Sequence, residues 1–434
     1  MRPVANRLAE TIRVEGRRVL ASLTRTLGSL DLAEDAVQDA AVAALERWPI
    51  DGVPADPRAW LTVVARNRAL DRLRREAKRP GKEALTLDGA SDGTVGGTME
   101  RFDGDPLAES VVRDDQLRLI FTCCHPALGL EARVALSLRT LCGLTTAEIA
   151  RALLVPDATM AKRLVRAKQK IAVAHIPYRV PRDHELPDRL PAVLGVVYLV
   201  FTEGHTATSG DDLVRVDLCD EAVRLARLLR ELLPDEAEVA GLLGLLVLTD
   251  ARRATRVDAA GEIVLLADQP RDRWDGDLID EGSALVTEAL RRSGGSPGPY
   301  QLQAAIAACH ANAPTYEATD WRQIAELYRL LEERAPSPVV SLNRAVAVAE
   351  RDGPAAGLAM AMSVAGLESF HLWHSTQASL LERLGRRDDA AVAYRHALAC
   401  EPSEPERRFL VRRLAVVAGR DGQPSRSSPG SRIR

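Results

Sequence analysis

The chain has 434 residues, 46% of them hydrophobic, enough to bury sizeable cores and, by length, to form two to four domains. Its net charge of −3 hides an asymmetry: residues 1–182 carry 29 Lys and Arg against 23 Asp and Glu, and residues 183–434 carry 29 against 38. The basic front suits a polyanion and the acidic back does not. No apolar run reaches the roughly 18–20 residues that span a bilayer, and no apolar signal core follows Met1, so a membrane partner and export are not expected and the cytoplasm is.

In chain order, residues 5–48 read as helical, with Leu20, Leu23, Leu27 and Leu30 recurring every three or four positions. Asp31 can cap the next helix with Glu34 as its capping-box partner. That helix, Leu32 to Trp48, carries Asp35, Gln38 and Asp39 close together, with Ala36, Val37, Ala40 and Ala44 on its packing side. Pro49 to Pro57 reads as a loop. A basic helix follows from Arg58 to about Lys78, on which Trp60, Leu61, Val64, Leu70 and Leu73 can face a core. Arg66, Arg68, Arg72, Arg74, Arg75, Lys78 and Arg79 are left for the other face.

Residues 80–110 change character: six glycines lie between Gly81 and Gly104, and Glu83 to Glu109 holds seven acidic residues against one Arg. Such a stretch reads as a flexible, solvated linker over residues 81–110. Helical patterning resumes near Val111 and runs to Ala174. Within it, Leu144-Thr-Thr-Ala-Glu-Ile-Ala150 and Val155-Pro-Asp-Ala-Thr-Met-Ala-Lys-Arg-Leu-Val-Arg-Ala-Lys168 form a helix-turn-helix pattern. Thr145 or Thr146 can cap the first helix, and the second begins near Asp157 or Ala158. Leu164 points inward, leaving Lys162, Arg163, Arg166, Lys168 and Lys170 for guanine edges or phosphates.

Pro177, Pro181, Pro187 and Pro191 mark a second boundary, beyond which residues 183–418 read as helical, apart from a small hairpin between Arg256 and Leu266. Ala378, Leu381, Ala390, Tyr394, Ala397 and Pro402 match tetratricopeptide spacing, and Asp320 to Pro336 holds a related helix with Tyr328. Residues 419–434 read as a disordered tail. Glu203, His205, Asp268 and Arg273 could line a pocket, or simply bond helix ends together. The six cysteines form no C-x-x-C pair and read as reduced thiols. Adjacent Cys123 and Cys124 beside His125 suit one tetrahedral site poorly, so no metal is expected, nor any other cofactor. The predicted fold class is all-α: two small helical domains, the second a helix-turn-helix, and a large helical, tetratricopeptide-like C-terminal domain.

Three stretches together resemble the extracytoplasmic-function sigma factors of the sigma-70 family. They are Leu32-Ala-Glu-Asp-Ala-Val-Gln-Asp-Ala40, Pro57-Arg-Ala-Trp-Leu-Thr-Val-Val-Ala-Arg-Asn-Arg-Ala-Leu-Asp-Arg-Leu-Arg-Arg75, and the helix-turn-helix. The resemblance implies that residues 1–80 form a region 2-like domain and residues 111–176 a region 4-like domain. It implies core RNA polymerase and promoter DNA as partners. Asp35, Gln38 and Asp39 would dock on the β′ clamp helices, and the second domain would meet the β flap. The loop from Pro49 to Ala59 would capture a flipped −10 base, with Trp60, Arg66, Asn67, Arg68, Arg72, Arg74 and Arg75 holding the melted strand. The linker would thread the polymerase channel. Lys162, Arg163, Arg166 and Lys168 would make the −35 contacts. Pro156 stands where the family has a capping Ser, so Asp157 can take over that role. Tyr198-Leu-Val-Phe-Thr-Glu-Gly-His205, Leu266-Ala-Asp-Gln-Pro-Arg-Asp-Arg-Trp274 and Gly298-Pro-Tyr-Gln-Leu-Gln-Ala-Ala305 resemble a subgroup with a long helical extension. Such an extension is expected to regulate the factor and to hold a regulatory protein. The activity implied is binding rather than catalysis. The alternatives from the residues alone are a helix-turn-helix regulator with a helical sensor domain, and a repeat scaffold.

Overall fold

The computed structural model describes residues 2–77, 115, 118–141, 143–153, 155–179, 181, 185–207 and 212–419. The expected linker at 81–110 and all but the first residue of the expected tail lie outside the described residues. The chain is all-α, as the periodicity predicts. In order the helices are α1 (Arg2–Leu27), α2 (Leu30–Asp51), α3 (Pro57–Ala77), α4 (118–123), α5 (Leu130–Thr140), α6 (Thr146–Ala152) and α7 (Asp157–Val173). Then follow α8 (Leu186–His205), α9 (Val216–Leu232), α10 (Ala237–Asp250), α11 (Gly276–Arg292), α12 (Pro299–Ala311) and α13 (Trp321–Arg334). The last five are α14 (Pro338–Asp352), α15 (Pro354–Ser363), α16 (His371–Arg383), α17 (Arg387–Ala399) and α18 (Glu404–Val417). The expected hairpin is present in minimal form, one antiparallel bridge from Val257 to Ile263 closed over the Asp258–Gly261 turn, with Gly261 at φ 75°. The chain divides into two compact units, residues 1–196 and 197–434.

In the first unit α1, α2 and α3 pack as a three-helix group, and α5, α6 and α7 as another. Gly28, at φ 65°, breaks α1 from α2, a backbone conformation that glycine adopts without a Cβ penalty. The cap of α2 is Ser29, whose Oγ accepts from Leu32 N at 3.3 Å; the sequence pointed instead to Asp31 with Glu34. With the helix starting at Leu30, both carboxylates lie on its body and are released for other partners. The expected loop from Pro49 begins late, because α2 continues through Pro49 to Asp51. On α3 the buried stripe is Leu61, Ala65 and Ala69 at strict four-residue spacing, while Leu70 is exposed. The small alanines let α3 approach its neighbours closely, which turns Leu70 one position off the contact line.

The second unit is a succession of helical hairpins. α10 packs on α9, α11 and α12, and each later helix packs on its sequence neighbour through α18. In α16 and α17 the tetratricopeptide-spaced residues Ala378, Leu381, Ala390, Tyr394 and Ala397 are buried in one cluster. Tyr328 lies on α13 against the cluster around Ile324 and Leu331. Close approach needs glycine at 357: a Cβ there would stand 2.7 Å from Ala345 O and would overlap Ala349 Cβ.

Candidate polymerase and nucleic-acid interface

The helix-turn-helix forms as its residues dictate. Thr145 and Glu148 make a reciprocal capping box, with Glu148 N donating to Thr145 Oγ1 at 3.2 Å and Thr145 N donating to Glu148 Oε2 at 2.7 Å. Buried Ala150 and Ile149 let α6 approach α7. Pro156 precedes α7 and supplies no side-chain cap; Asp157 is the first helical residue. Met160, Leu164 and Ala167 are the buried stripe of α7, so the opposite side must be solvated. Lys162, Arg166 and Lys170 are exposed there, and with Arg163 they border a cleft whose far wall is Gly129 and Ala132 at the start of α5. Arg163 is paired with Glu131 at 2.6 Å.

Lys168 lies elsewhere. Its side chain is only 18% exposed and reaches α2, with Nζ 2.6 Å from Glu34 Oε2 and 3.1 Å from Asp31 Oδ1. Arg139 on α5 joins the same carboxylate, its Nε donating to Glu34 Oε1 at 2.7 Å. Burial alone would push the Glu34 carboxyl up; Lys168 and Arg139 outweigh it and hold the group below the usual range. Burial likewise opposes the charge on Lys168, and Glu34 and Asp31 reverse that, holding its pKa up. Further ties join the two helical groups of this unit. Arg25 pairs with buried Asp115 at 2.9 Å, and the Tyr178 hydroxyl lies 2.7 Å from Ala21 O and 2.8 Å from Asp115 O.

On α2, Gln38 and Asp39 are exposed, and Asp35 pairs with Arg72 of α3 at 2.6 Å. The structure thus joins one expected polymerase contact to one expected strand contact. The same exposed side of α2 continues into Val42 and Leu45, both about half exposed, which the sequence reading missed. Their positions, seven and ten residues beyond Asp35, were the available signal. Arg66, Asn67, Arg68, Arg74 and Arg75 are exposed along α3. Trp60 is half-buried, edge-on to buried Trp48 at 5.3 Å. Beside this pair, Ile50 and Val53 at the α2–α3 loop are exposed apolar residues, also unforeseen. Asp56 fixes the loop end, its Oδ1 accepting from Ala59 N at 2.9 Å.

Cys123 and Cys124 are buried, contacting Thr140 Oγ1 at 3.3 Å and Ser137 Oγ at 3.7 Å. Burial pushes both thiols up, that of Cys124 to about 11, so neither offers a ready thiolate. Among the described residues no His, Cys, Asp and Glu cluster has the arrangement to hold a metal ion, and no helix is long and apolar enough to cross a membrane. Of the four C-terminal candidates, Glu203 is buried, with Arg215 at 3.9 Å, and His205 is half-buried. Asp268 and Arg273 are exposed on short turns.

Three stretches of the chain match known protein families. Residues 11–79 match the family described as Sigma-70 region 2, residues 118–171 match Sigma-70, region 4, and residues 189–290 match a family of unknown function, DUF6596. An uncharacterized protein of Rhizobium meliloti, R00370, is 43% identical over 402 residues, covering 92% of this chain and 93% of the relative. Two proteins of Mycobacterium tuberculosis match the front. The probable ECF RNA polymerase sigma factor SigI is 31% identical over 169 residues, 38% of this chain and 54% of its own. The ECF RNA polymerase sigma factor SigJ is 33% identical over 176 residues, 39% of this chain and 53% of its own. The chain thus spans about half the length of these two. No solved structure matches.

Proposed function

Because the chain belongs to the extracytoplasmic-function sigma factors, we propose that it binds core RNA polymerase in the cytoplasm and directs promoter-specific initiation, acting by binding rather than catalysis. Residues 1–80 serve as the polymerase-clamp and −10 domain and residues 111–176 as the −35 domain, joined by the linker at 81–110. The helical extension, residues 183–418, regulates the factor and offers a surface to a regulatory protein.

One observation carries this reading: a single compact unit combines an exposed acidic stretch on α2 with exposed basic sides on α3 and α7. An ordinary duplex reader needs only the last. Asp35, Gln38 and Asp39 supply acceptors for basic groups on the β′ clamp helices, and Val42 and Leu45 supply apolar area beside them. Ile50, Val53 and Trp60 surround the loop that receives an unstacked −10 base. Arg66, Asn67, Arg68, Arg72, Arg74 and Arg75 track the strand's phosphates. Lys162, Arg163 and Arg166 meet the −35 duplex, and the uncapped start of α5 at Gly129 offers backbone N–H groups to a phosphate across the cleft. Lys168 joins them only after exchanging Glu34 and Asp31 for a phosphate. The β flap meets this second domain.

Binding of the full chain to core polymerase without promoter DNA tests the reading. We expect a stable complex that Asp39→Lys abolishes. No complex with core, alongside retained binding to duplex DNA, would favour a conventional regulator.

A further inference from the structure

The acidic C-terminal unit contains a concentration of positive charge that its own carboxylates do not neutralise. Arg252 and Arg256 follow α10, Arg271 lies in the turn before α11, and His205 and His310 end α8 and α12. All five are half-buried: protein surrounds them, yet solvent still reaches them. Arg256 donates to His205 O and, at 3.1 Å, to Thr206 Oγ1. Arg271 donates to His310 O at 2.5 Å and Ala313 O at 2.8 Å, and its guanidinium stacks over Trp274 at 4.6 Å. These partners are neutral, so they orient the cations without cancelling them. Arg252 has neither an ion pair nor a side-chain hydrogen bond among the described residues.

One neighbouring carboxylate, exposed Glu317, acts on Arg271 from the solvent side; the others are committed elsewhere. Asp250 and Asp220 hold Arg253, Glu262 holds Arg408 and Arg412, and Glu406 holds His371 at 3.1 Å. Three buried polar atoms face no partner: His205 Nε2, Arg271 Nη2 and His310 Nδ1. Buried polar groups ordinarily find partners, and each of these histidines lies against a site arginine, His205 against Arg256 and His310 against Arg271. Burial first, and then the arginines, push His310 down to about 4 and hold His205 well below its ordinary range. Arg252 falls to about 10 by burial and the nearby Arg271, and Arg256 to about 9 by burial and the nearby Arg252. Arg252 therefore repels Arg271 and Arg256 where burial limits solvent screening, and an anion would relieve that repulsion.

We propose that Arg252, Arg256 and Arg271, with His205 and His310, form a binding site for a small multivalent anion with phosphate or carboxylate groups. The planar guanidinium edges suit bidentate oxyanion recognition, and Trp274 holds one of them in place. The half-buried setting favours a small molecule over a peptide, which would need an open groove.

Calorimetric titration and thermal unfolding of the full chain with inorganic phosphate, pyrophosphate and citrate test this, each against sodium chloride at matched ionic strength. We expect saturable binding of at least one probe, weakened at least tenfold in Arg252→Met and in Arg271→Met. Arg227→Met, which removes an exposed ion pair with Glu281, should leave it unchanged. Pyrophosphate against citrate tells phosphate from carboxylate recognition. Without anion, Arg252→Met should raise Tm, because it removes an unpaired desolvated charge. Arg252→Lys keeps the charge, loses the planar fork and should also weaken binding. No saturable binding by any probe, binding indifferent to both methionine variants and Arg252→Lys, or a lower anion-free Tm in Arg252→Met would each overturn the proposal.

Discussion

Lys168 Nζ stands 2.6 Å from Glu34 Oε2, tying the second helix of the helix-turn-helix to the helix that carries Asp35, Gln38 and Asp39. Both side chains are largely shielded, so the pair is not a screened surface contact of negligible worth. If Lys168 must leave this pair to reach a phosphate, Glu34→Gln should strengthen binding to a −35 duplex about tenfold or more, since a hydrogen bond to a charged group contributes about 1.5–3 kcal/mol. Fluorescence anisotropy with labelled duplex measures it; unchanged or weaker binding would count against the exchange.

The same pair sets a pH dependence. Glu34 is held below the ordinary carboxylate value of 4.5, so its contribution is complete above that value and fades as pH falls through the lower, folded-state value. Thermal unfolding should show wild type losing its advantage over Glu34→Gln only below about pH 4.5. An advantage that persists into strong acid would show the charge to be unimportant.

On α7, Arg166 is exposed, whereas Arg163 already has Glu131 at 2.6 Å. Both Arg→Ala changes should reduce −35-dependent initiation, Arg166→Ala more. If Arg166 contacts a phosphate, its loss also lowers the salt slope of duplex binding by roughly 1. Footprints and transcript levels unchanged in both variants would refute the assignment.

His310 gives the C-terminal unit a distinct acid sensitivity. Burial, Arg252 and Arg271 push its folded-state pKa down to about 4, against 6.5 for an ordinary histidine. Between those values the unfolded chain takes up a proton that the folded chain refuses. Stability is therefore full above pH 6.5 and falls towards pH 4, by about 3 kcal/mol for this group. His205 acts in the same direction. His310→Gln should flatten the profile in this window, and an unaltered slope would show that His310 titrates normally.

Gly357→Ala tests the close approach of α14 and α15. The added methyl would meet Ala345 O and Ala349 Cβ inside van der Waals distance. A loss of about 1–3 kcal/mol is expected in denaturant unfolding; an equally stable variant would mean that the two helices separate freely.

Much of this was legible in the sequence because helical burial is periodic. The helix-turn-helix, its Thr145–Glu148 cap, inward Leu164 and the Ala378-to-Ala397 hairpin follow from local spacing. What was not legible depends on partners distant in the chain. Lys168 reads as one more cation on a basic helix, and nothing local says that Glu34, far upstream, will hold it. Leu70 looks like a core residue until the alanines at 65 and 69 define the contact line. The arginine recess draws on residues 205, 252, 256, 271 and 310, which no spacing rule connects. Its faint signal was Arg252-Arg253 and Arg256 close together in an acidic half.

Mapping transcript 5′ ends made from genomic DNA by purified core polymerase with the full chain, wild type and Asp39→Lys, tests the sigma-factor reading most directly. Wild type should produce new start sites that share an upstream motif, and Asp39→Lys should produce none. No new starts with wild type, or the same starts with both proteins, would contradict it.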